Sequence, residues 1–337
     1  MRVLITGATG LVGLYAAVQC HREGKTVRVL VRDADKFQRC LAPFGMDVCQ
    51  FEVITGDITD SAVLGTASAS CDALIHCAGL FSNRLKDAET LQRVNVEATR
   101  EVLQCAAAAS MDPIVHVSSY LALFPPVARI HSADDPVSQP TAMYAQTKAA
   151  AERIARDLQD AGRSVVTVYP GSVQGPFDPT YGIGSQLLEQ AIRSGRYLVT
   201  EGGRSFTDVR DLAHLLHNLL QPERGARRIM CGGYYLSYEQ QRQILERVSG
   251  TTIKPQRMPG FLLRALGSLA DSISRRTGRE FELTREAADV LTRSVPCDDQ
   301  PGLLDPGYPL VGAEQSFRDL VCWMRDSGRL PVANKPA

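Results

Sequence analysis

The sequence predicts a doubly wound α/β fold, a parallel sheet covered on both faces by crossover helices, with a smaller C-terminal lobe. Three observations predict it. Short β-rich runs alternate with helix-length segments through the first half of the chain, those runs are almost wholly apolar, and a glycine-rich turn stands directly between the first run and the first helix. Strands without alternating polar positions are buried on both faces, which a helix-covered parallel sheet provides. With 337 residues the chain has room for one large core and an appended lobe.

Strands are expected over 2–6, 26–31, 51–55, 73–78, 114–118 and 164–169. The first helix starts at Gly10, runs to about Arg22 and closes at Glu23-Gly24, where glycine readily takes the left-handed conformation that ends a helix. After Tyr169, Pro- and Gly-rich loops separate helical stretches near 185–194, 210–220, 237–249, 260–276, 283–293 and 313–328. The division is therefore expected near residue 170, with 1–170 forming the sheet domain and 171–337 mainly the lobe, some segments returning to the sheet. Within 260–276, Leu262, Leu266, Leu269 and Ile273 make one apolar stripe, expected to pack on the body of the protein.

Composition excludes several classes. The 37 Lys+Arg balance the 37 Asp+Glu, and 44% of residues are hydrophobic, which argues against a disordered chain and against nucleic-acid binding driven by net charge. Nine cysteines without a Cys-x-x-Cys pair read as reduced thiols in a cytoplasmic protein, not a disulfide framework. No export signal is visible, and no apolar run reaches the ~20 residues that span a bilayer. His214 and His217 lie three apart on a helix, but no ligand pattern completes a site around them, so no metal is expected.

Directly after the first strand comes Thr6-Gly7-Ala8-Thr9-Gly10-Leu11-Val12-Gly13. One glycine makes the tight turn, one lets backbone N–H groups approach a pyrophosphate, and one lets helix and strand pack closely. The spacing is Gly-x-x-Gly-x-x-Gly, and its strand-turn-helix setting points to a dinucleotide lying along Gly7, Thr9, Gly10, Leu11, Val12 and Gly13. The second strand ends in Val31-Arg32-Asp33, where a guanidinium would hold a 2′-phosphate, so Arg32 favours NADP(H) over NAD(H), while Asp33 pulls the other way. Asp57 and Ile58 follow the third strand on the adenine side. Cys77, Ala78 and Gly79 follow the fourth, where small residues let backbone lie against a nicotinamide ribose.

The chemistry is carried by Tyr144-x-x-x-Lys148, which puts both side chains on one helix face. A phenol is too weak an acid to ionise unaided near neutrality, and Lys148 is expected to lower the pKa of Tyr144 and make it a proton donor and acceptor for carbonyl–alcohol interconversion. The fifth strand ends in Val117-Ser118-Ser119-Tyr120, at the strand C-terminus where open α/β sheets place ligands. Ser119 is the choice to orient the carbonyl oxygen, with Ser118 the alternative one register away.

Glycine turn, strand-end serine and Tyr-x-x-x-Lys together resemble the extended short-chain dehydrogenase/reductases, the NAD-dependent epimerase/dehydratase superfamily, well over residues 1 to about 220 and loosely beyond. Further matching segments are Asp72 to Gly79, Val94 to Thr99, Tyr169 to Pro176 and Arg204 to Ala213. The resemblance implies a Rossmann-like fold, a helix-supporting and proton-relay role for Asn95, and a nicotinamide bordered by Pro170, Gly171, Ser172 and Val173. Within the subclass the chain is most similar to the dihydroflavonol-reductase and 3β-hydroxysteroid-dehydrogenase-like group, which implies hydride transfer on a small, fairly apolar substrate. Leu80, Phe81, Tyr120, Leu121, Phe124, Phe177 and Tyr181 suit such a pocket.

A nucleotide-sugar epimerase with retained cofactor is the rival reading, because Arg204 matches the position where such enzymes place an arginine on the diphosphate. A dehydratase is disfavoured by Tyr120-Leu121, which stand where those enzymes carry Asp-Glu. A non-catalytic NADPH-binding redox sensor is the third. The expected partner is a small molecule, and a homodimer is compatible with the family.

Overall fold

The computed structural model describes residues 1–82, 85–277, 279, 281, 283–300 and 310–331. In chain order the first half runs β1 (Arg2–Thr6), α1 (Leu11–Arg22), β2 (Thr26–Val31), α2 (Ala34–Leu41), β3 (Glu52–Thr55), α3 (Ser61–Ser68), β4 (Ala73–His76), α4 (Ala88–Gln92), α5 (Ala98–Ala108), β5 (Ile114–Val117), α6 (Met143–Asp160) and β6 (Val165–Pro170). The second half runs β7 (Ser172–Gln174), α7 (Ile183–Ser194), β8 (Arg196–Val199), β9 (Gly203–Asp208), α8 (Val209–Asn218), β10 (Arg227–Cys231), β11 (Tyr234–Ser237), α9 (Tyr238–Ser249), β12 (Lys254–Arg257), α10 (Gly260–Thr277), α11 (Arg285–Arg293) and α12 (Ala313–Asp326).

Seven strands form one parallel sheet in the order β10-β6-β5-β4-β1-β2-β3. Alternation along each strand sorts the core to two sides. Val3, Ile5, Val29, Val115 and Val166 point into one cluster with α1 and α8, while Leu4, Leu30, Leu74, Ile114 and Val165 point into another with α3, α5 and α6. The chain reverses direction of winding between β1 and β4, which opens a crevice at the strand C-termini there.

Beyond β6 the chain leaves this sheet at Gly171. A Cβ there would stand 2.8 Å from the Ser205 and Gly232 carbonyl oxygens, so only glycine allows the crossing. β7, β9 and β11 make a three-stranded sheet, β8 pairs with β12, and α7, α9 and α12 close a third core around Leu245, Phe317 and Leu320. These short, half-polar strands are the elements that the apolar-run criterion does not find. The 260–276 helix is present, but its stripe does not pack on the body: Leu262, Leu266, Leu269 and Ile273 are all exposed. His214 and His217 both hydrogen-bond to Asn218, and all nine thiols are unpaired.

Candidate active site

The glycine turn is built by close approach. Gly7 has φ +76°, and a Cβ on it would lie 2.7 Å from the Ala78 amide nitrogen; a Cβ on Gly13 would run into the Gly7 carbonyl. Gly10 precedes α1 with no side chain to cap it, so the first-turn N–H groups around Leu11 and Val12 remain directed at the crevice. Thr9, Leu11 and Val12 are half-buried along this edge.

At the far end of the crevice, Arg32 is exposed, whereas the Asp33 carboxylate accepts from the Lys36 amide at 2.8 Å and caps α2. One oxygen of the Asp33 carboxylate therefore serves the helix end, beside the exposed Arg32. Asp57 is held below its ordinary value chiefly by the Thr59 amide, with the Thr59 hydroxyl and the charges of Arg32 and Arg93 acting in the same direction. Arg93 was not among the sequence candidates; it stands two residues before Asn95 in the wider helical turn Arg93–Glu97, a feature that only the structure shows. Ile58 packs partly into the core beside it.

The opposite end joins three elements. Cys77 and Ala78 amides donate to the Thr6 carbonyl and hydroxyl at 3.3 and 3.4 Å, and Gly79 is exposed. A Cβ on Gly79 would stand 3.5 Å from Asn95 Oδ1 and 3.7 Å from Lys148 Nζ, ordinary contact distances that place the lysine amine directly behind this exposed ledge. Buried Asn95 acts as a clamp: it accepts from the Leu80 amide at 2.7 Å and donates to the Leu80 carbonyl at 2.9 Å and to Thr147 Oγ1 at 3.0 Å. Thr147 in turn donates to the Tyr144 carbonyl at 2.8 Å. The loop after β4 is thereby tied to the first turn of α6.

Lys148 is buried, donates to the Val117 carbonyl at 3.4 Å, and is pushed down to about 8 by burial. Tyr144 is half-buried beneath Phe81, whose ring stands 4.6 Å away at 62°. The expected lowering of the Tyr144 pKa by Lys148 is not what the structure gives. Burial pushes the phenol up, with Tyr120 adding in the same direction. Ser118 and Ser119 separate by register: Ser118 is turned toward Glu152 under α6, while Ser119 accepts from the Leu121 amide at 3.2 Å at the cap of the turn Tyr120–Ala122. A hydroxyl that accepts one bond keeps its proton free to donate.

On the substrate side, Phe81 is 48% exposed and Tyr120 is buried with its phenol pushed up to about 12, burial being the main cause. Arg204 on β9 faces Tyr238, Tyr120 and Tyr197. Burial penalises its charge, yet these phenols hold it above its ordinary value, and among the described residues no carboxylate pairs with it. Pro170 ends β6, Ser172 and Val173 open β7, and Val173 packs against Tyr15 and Val209.

Two expected pocket residues lie elsewhere. Tyr181 gives its hydroxyl to Glu189, and its ring lies 3.8 Å under the Arg329 guanidinium. Phe177 packs on Phe44 at 5.7 Å, lining an open groove of about 440 Å³ behind α1. Glu286 of α11, which carried no sequence signal, accepts from the Thr141 amide and hydroxyl and the Ala142 amide at 2.6, 2.7 and 2.6 Å, fixing the start of α6. The 132–140 loop is pinned as well, by His131 on Asp135 at 2.7 Å and Arg228 on Asp134 at 2.8 Å.

The uncapped helix end, the open glycine ledge and the lysine behind it fit a bound dinucleotide. Comparison with known proteins agrees. The model of the NAD-dependent epimerase/dehydratase family matches residues 3–232. A Synechocystis protein named for dihydroflavonol 4-reductase activity is 25% identical over 333 residues, covering 96% of this chain and 94% of its own. A Stigmatella aurantiaca protein named 4-hydroxy-2-methyl-3-oxo-4-farnesyl-3,4-dihydroquinoline-1-oxide ketoreductase is 32% identical over 228 residues, covering 67% of this chain and 65% of its own. Among solved structures, UDP-glucose-4-epimerase of Stenotrophomonas maltophila with bound NAD superposes with a TM-score of 0.77 at 18% identity, over 98% of this chain and 99% of that one. The chain belongs to the NAD-dependent epimerase/dehydratase family and is an NAD(P)-dependent enzyme of the extended short-chain dehydrogenase/reductase type.

Proposed function

We infer that the protein reduces a carbonyl to an alcohol on a small, fairly apolar molecule, using NADP(H) in preference to NAD(H). The cofactor supplies the hydride when bound along the Gly7–Gly13 turn. Gly10, Leu11 and Val12 hold its diphosphate, Arg32 its 2′-phosphate, Asp57 and Ile58 its adenine, and Gly79 with Pro170 to Val173 its nicotinamide end. Ser119 donates to the carbonyl oxygen and fixes it. Tyr144 then gives its proton to that oxygen as negative charge develops there, and Lys148 supports the phenolate left behind.

The observation that carries this reading is the Lys148 amine behind the Gly79 ledge, one helical turn from Tyr144. Burial keeps the Tyr144 phenol protonated in the resting protein, which suits a proton donor and hence the reductive direction. Phe81 and Tyr120 give the substrate side its aromatic character, and the Stigmatella relative's name describes reduction of a farnesylated ketone. Nine unpaired cysteines support a cytoplasmic setting.

The epimerase reading keeps one observation in its favour, the Arg204 cation set among phenols with no acid paired to it among the described residues. Incubation with NADPH and a panel of apolar ketones, followed by NADPH absorbance, separates the two. Ketone-dependent NADPH loss is expected. Interconversion of UDP-hexoses without net NADPH loss would replace the reading with an epimerase, and tight NADPH binding with no turnover on either panel would replace it with a sensor.

A further inference from the structure

Helix α10 is amphipathic in the reverse sense. Its polar side is turned to the protein: Arg264 donates to Thr292 Oγ1 at 2.9 Å, and Asp271 accepts from the Arg285 amide at 3.0 Å. Its contact with α11 is made through backbone, since a Cβ on buried Gly267 would stand 2.5 Å from the Thr284 carbonyl oxygen. The apolar side faces out. Phe261 is 69% and Leu269 57% exposed, and Leu262, Leu266 and Ile273 share that arc. A contiguous apolar face of this kind on a folded protein marks an interaction surface.

Charge selects the partner. Arg275, Arg276 and Arg279 are exposed at the C-terminal end of the strip, and the only acid within α10, Asp271, is engaged with α11. An apolar arc ending in exposed arginines complements a bilayer with anionic headgroups, the leucines and Phe261 entering the acyl boundary and the arginines meeting the phosphates. Helix α10 of a second copy would offer the same basic-ended strip, with its single acid, Asp271, already engaged with α11.

We propose that α10 seats the protein on an anionic membrane surface. α10 packs on α11, whose Glu286 holds the start of α6, so the seated helix is linked through α11 to the helix that carries Tyr144. The proposal goes beyond the reductase reading and stands without it, because docking needs no turnover.

The test is co-sedimentation of the full chain with vesicles of phosphatidylglycerol and phosphatidylcholine against vesicles of phosphatidylcholine alone, with light scattering for oligomeric state and thermal melting to confirm that each variant folds. Binding to the anionic vesicles that weakens with salt is expected. Leu262→Glu with Leu269→Glu lowers it at least about tenfold by removing the buried apolar area. Arg275→Gln with Arg276→Gln also lowers it, by about thirtyfold, as loss of two charges at the headgroups requires. Absence of wild-type binding, or equal binding by folded variants, overturns the proposal. So does a wild-type dimer that fails to bind vesicles and that Leu269→Glu splits into monomers, which would make the strip a self-interface.

Discussion

Tyr144 and Lys148 stand one turn apart, yet burial governs their proton affinities more than their mutual charge does. The spacing of the pair is readable in the sequence because the chemistry requires both groups on one face of one helix. Their shifts are not readable, because they depend on β5, the Gly79 ledge and Phe81, which only the fold brings around them. Lys148 falls from its ordinary 10.5 to about 8. A lysine whose pKa is depressed on folding loses its charge as pH rises through the lower value, so kcat/KM for carbonyl reduction is expected to fall above pH about 8, and Lys148→Arg to remove that limb. Below pH 8 the folded chain bears a buried ammonium that the unfolded chain solvates, so stability should rise as pH climbs from about 8 toward 10.5. Lys148→Met should accordingly raise stability near pH 7 by at least about 1 kcal/mol while destroying activity. A melting temperature equal to or below that of the wild type would contradict the burial argument. Arg32 belongs to the same scale. With Asp33 occupied by the α2 cap, Arg32→Ala should weaken NADPH binding about tenfold or more and NADH binding hardly at all, and equal losses in a titration with the two cofactors would reject the assignment.

The element that matters most is α6, and it is held from outside its own sequence. Its first turn has no side-chain cap of its own, and the Glu286 carboxylate supplies one from α11, 144 residues beyond Ala142 in the chain, where negative charge also suits a helix N-terminus. Removing this carboxylate by Glu286→Ala should lower kcat about tenfold, with cofactor affinity unchanged, and should cost about 1 kcal/mol of stability. An unaltered kcat in steady-state assays would show that α6 does not need the tether. Such long-range caps leave no local signal, which is why Glu286 escaped sequence reading. The strands of the lobe escaped for a different reason. β7, β8, β11 and β12 are three or four residues long and mostly half-exposed, so neither period nor apolar run marks them, whereas the helices of the same region were legible from their spacing.

For the whole molecule, order along the sheet follows from strands too apolar to face water on either side, and the crevice follows from the reversal between β1 and β4. The glycine turn, the strand-end serines and the Tyr-Lys pair come from three separate crossovers, and the reversal gathers them at one edge. Net charge contributes nothing to this, because the 37 basic and 37 acidic residues cancel; the positive groups along the crevice are local ones, Arg32 and Arg93 acting on Asp57 and the uncapped α1 N-terminus. What the sequence misjudged at this scale is the α10 stripe, since the same period describes a face packed on the body and one turned outward. The central claim is that the Tyr144 hydroxyl supplies the proton beside the cofactor. Single-turnover reduction of an apolar ketone by NADPH, measured on Tyr144→Phe with NADPH affinity determined in parallel, tests it most directly. A loss of about 10²–10⁴-fold in rate with affinity nearly unchanged is predicted; a rate within a few-fold of the wild type would contradict it.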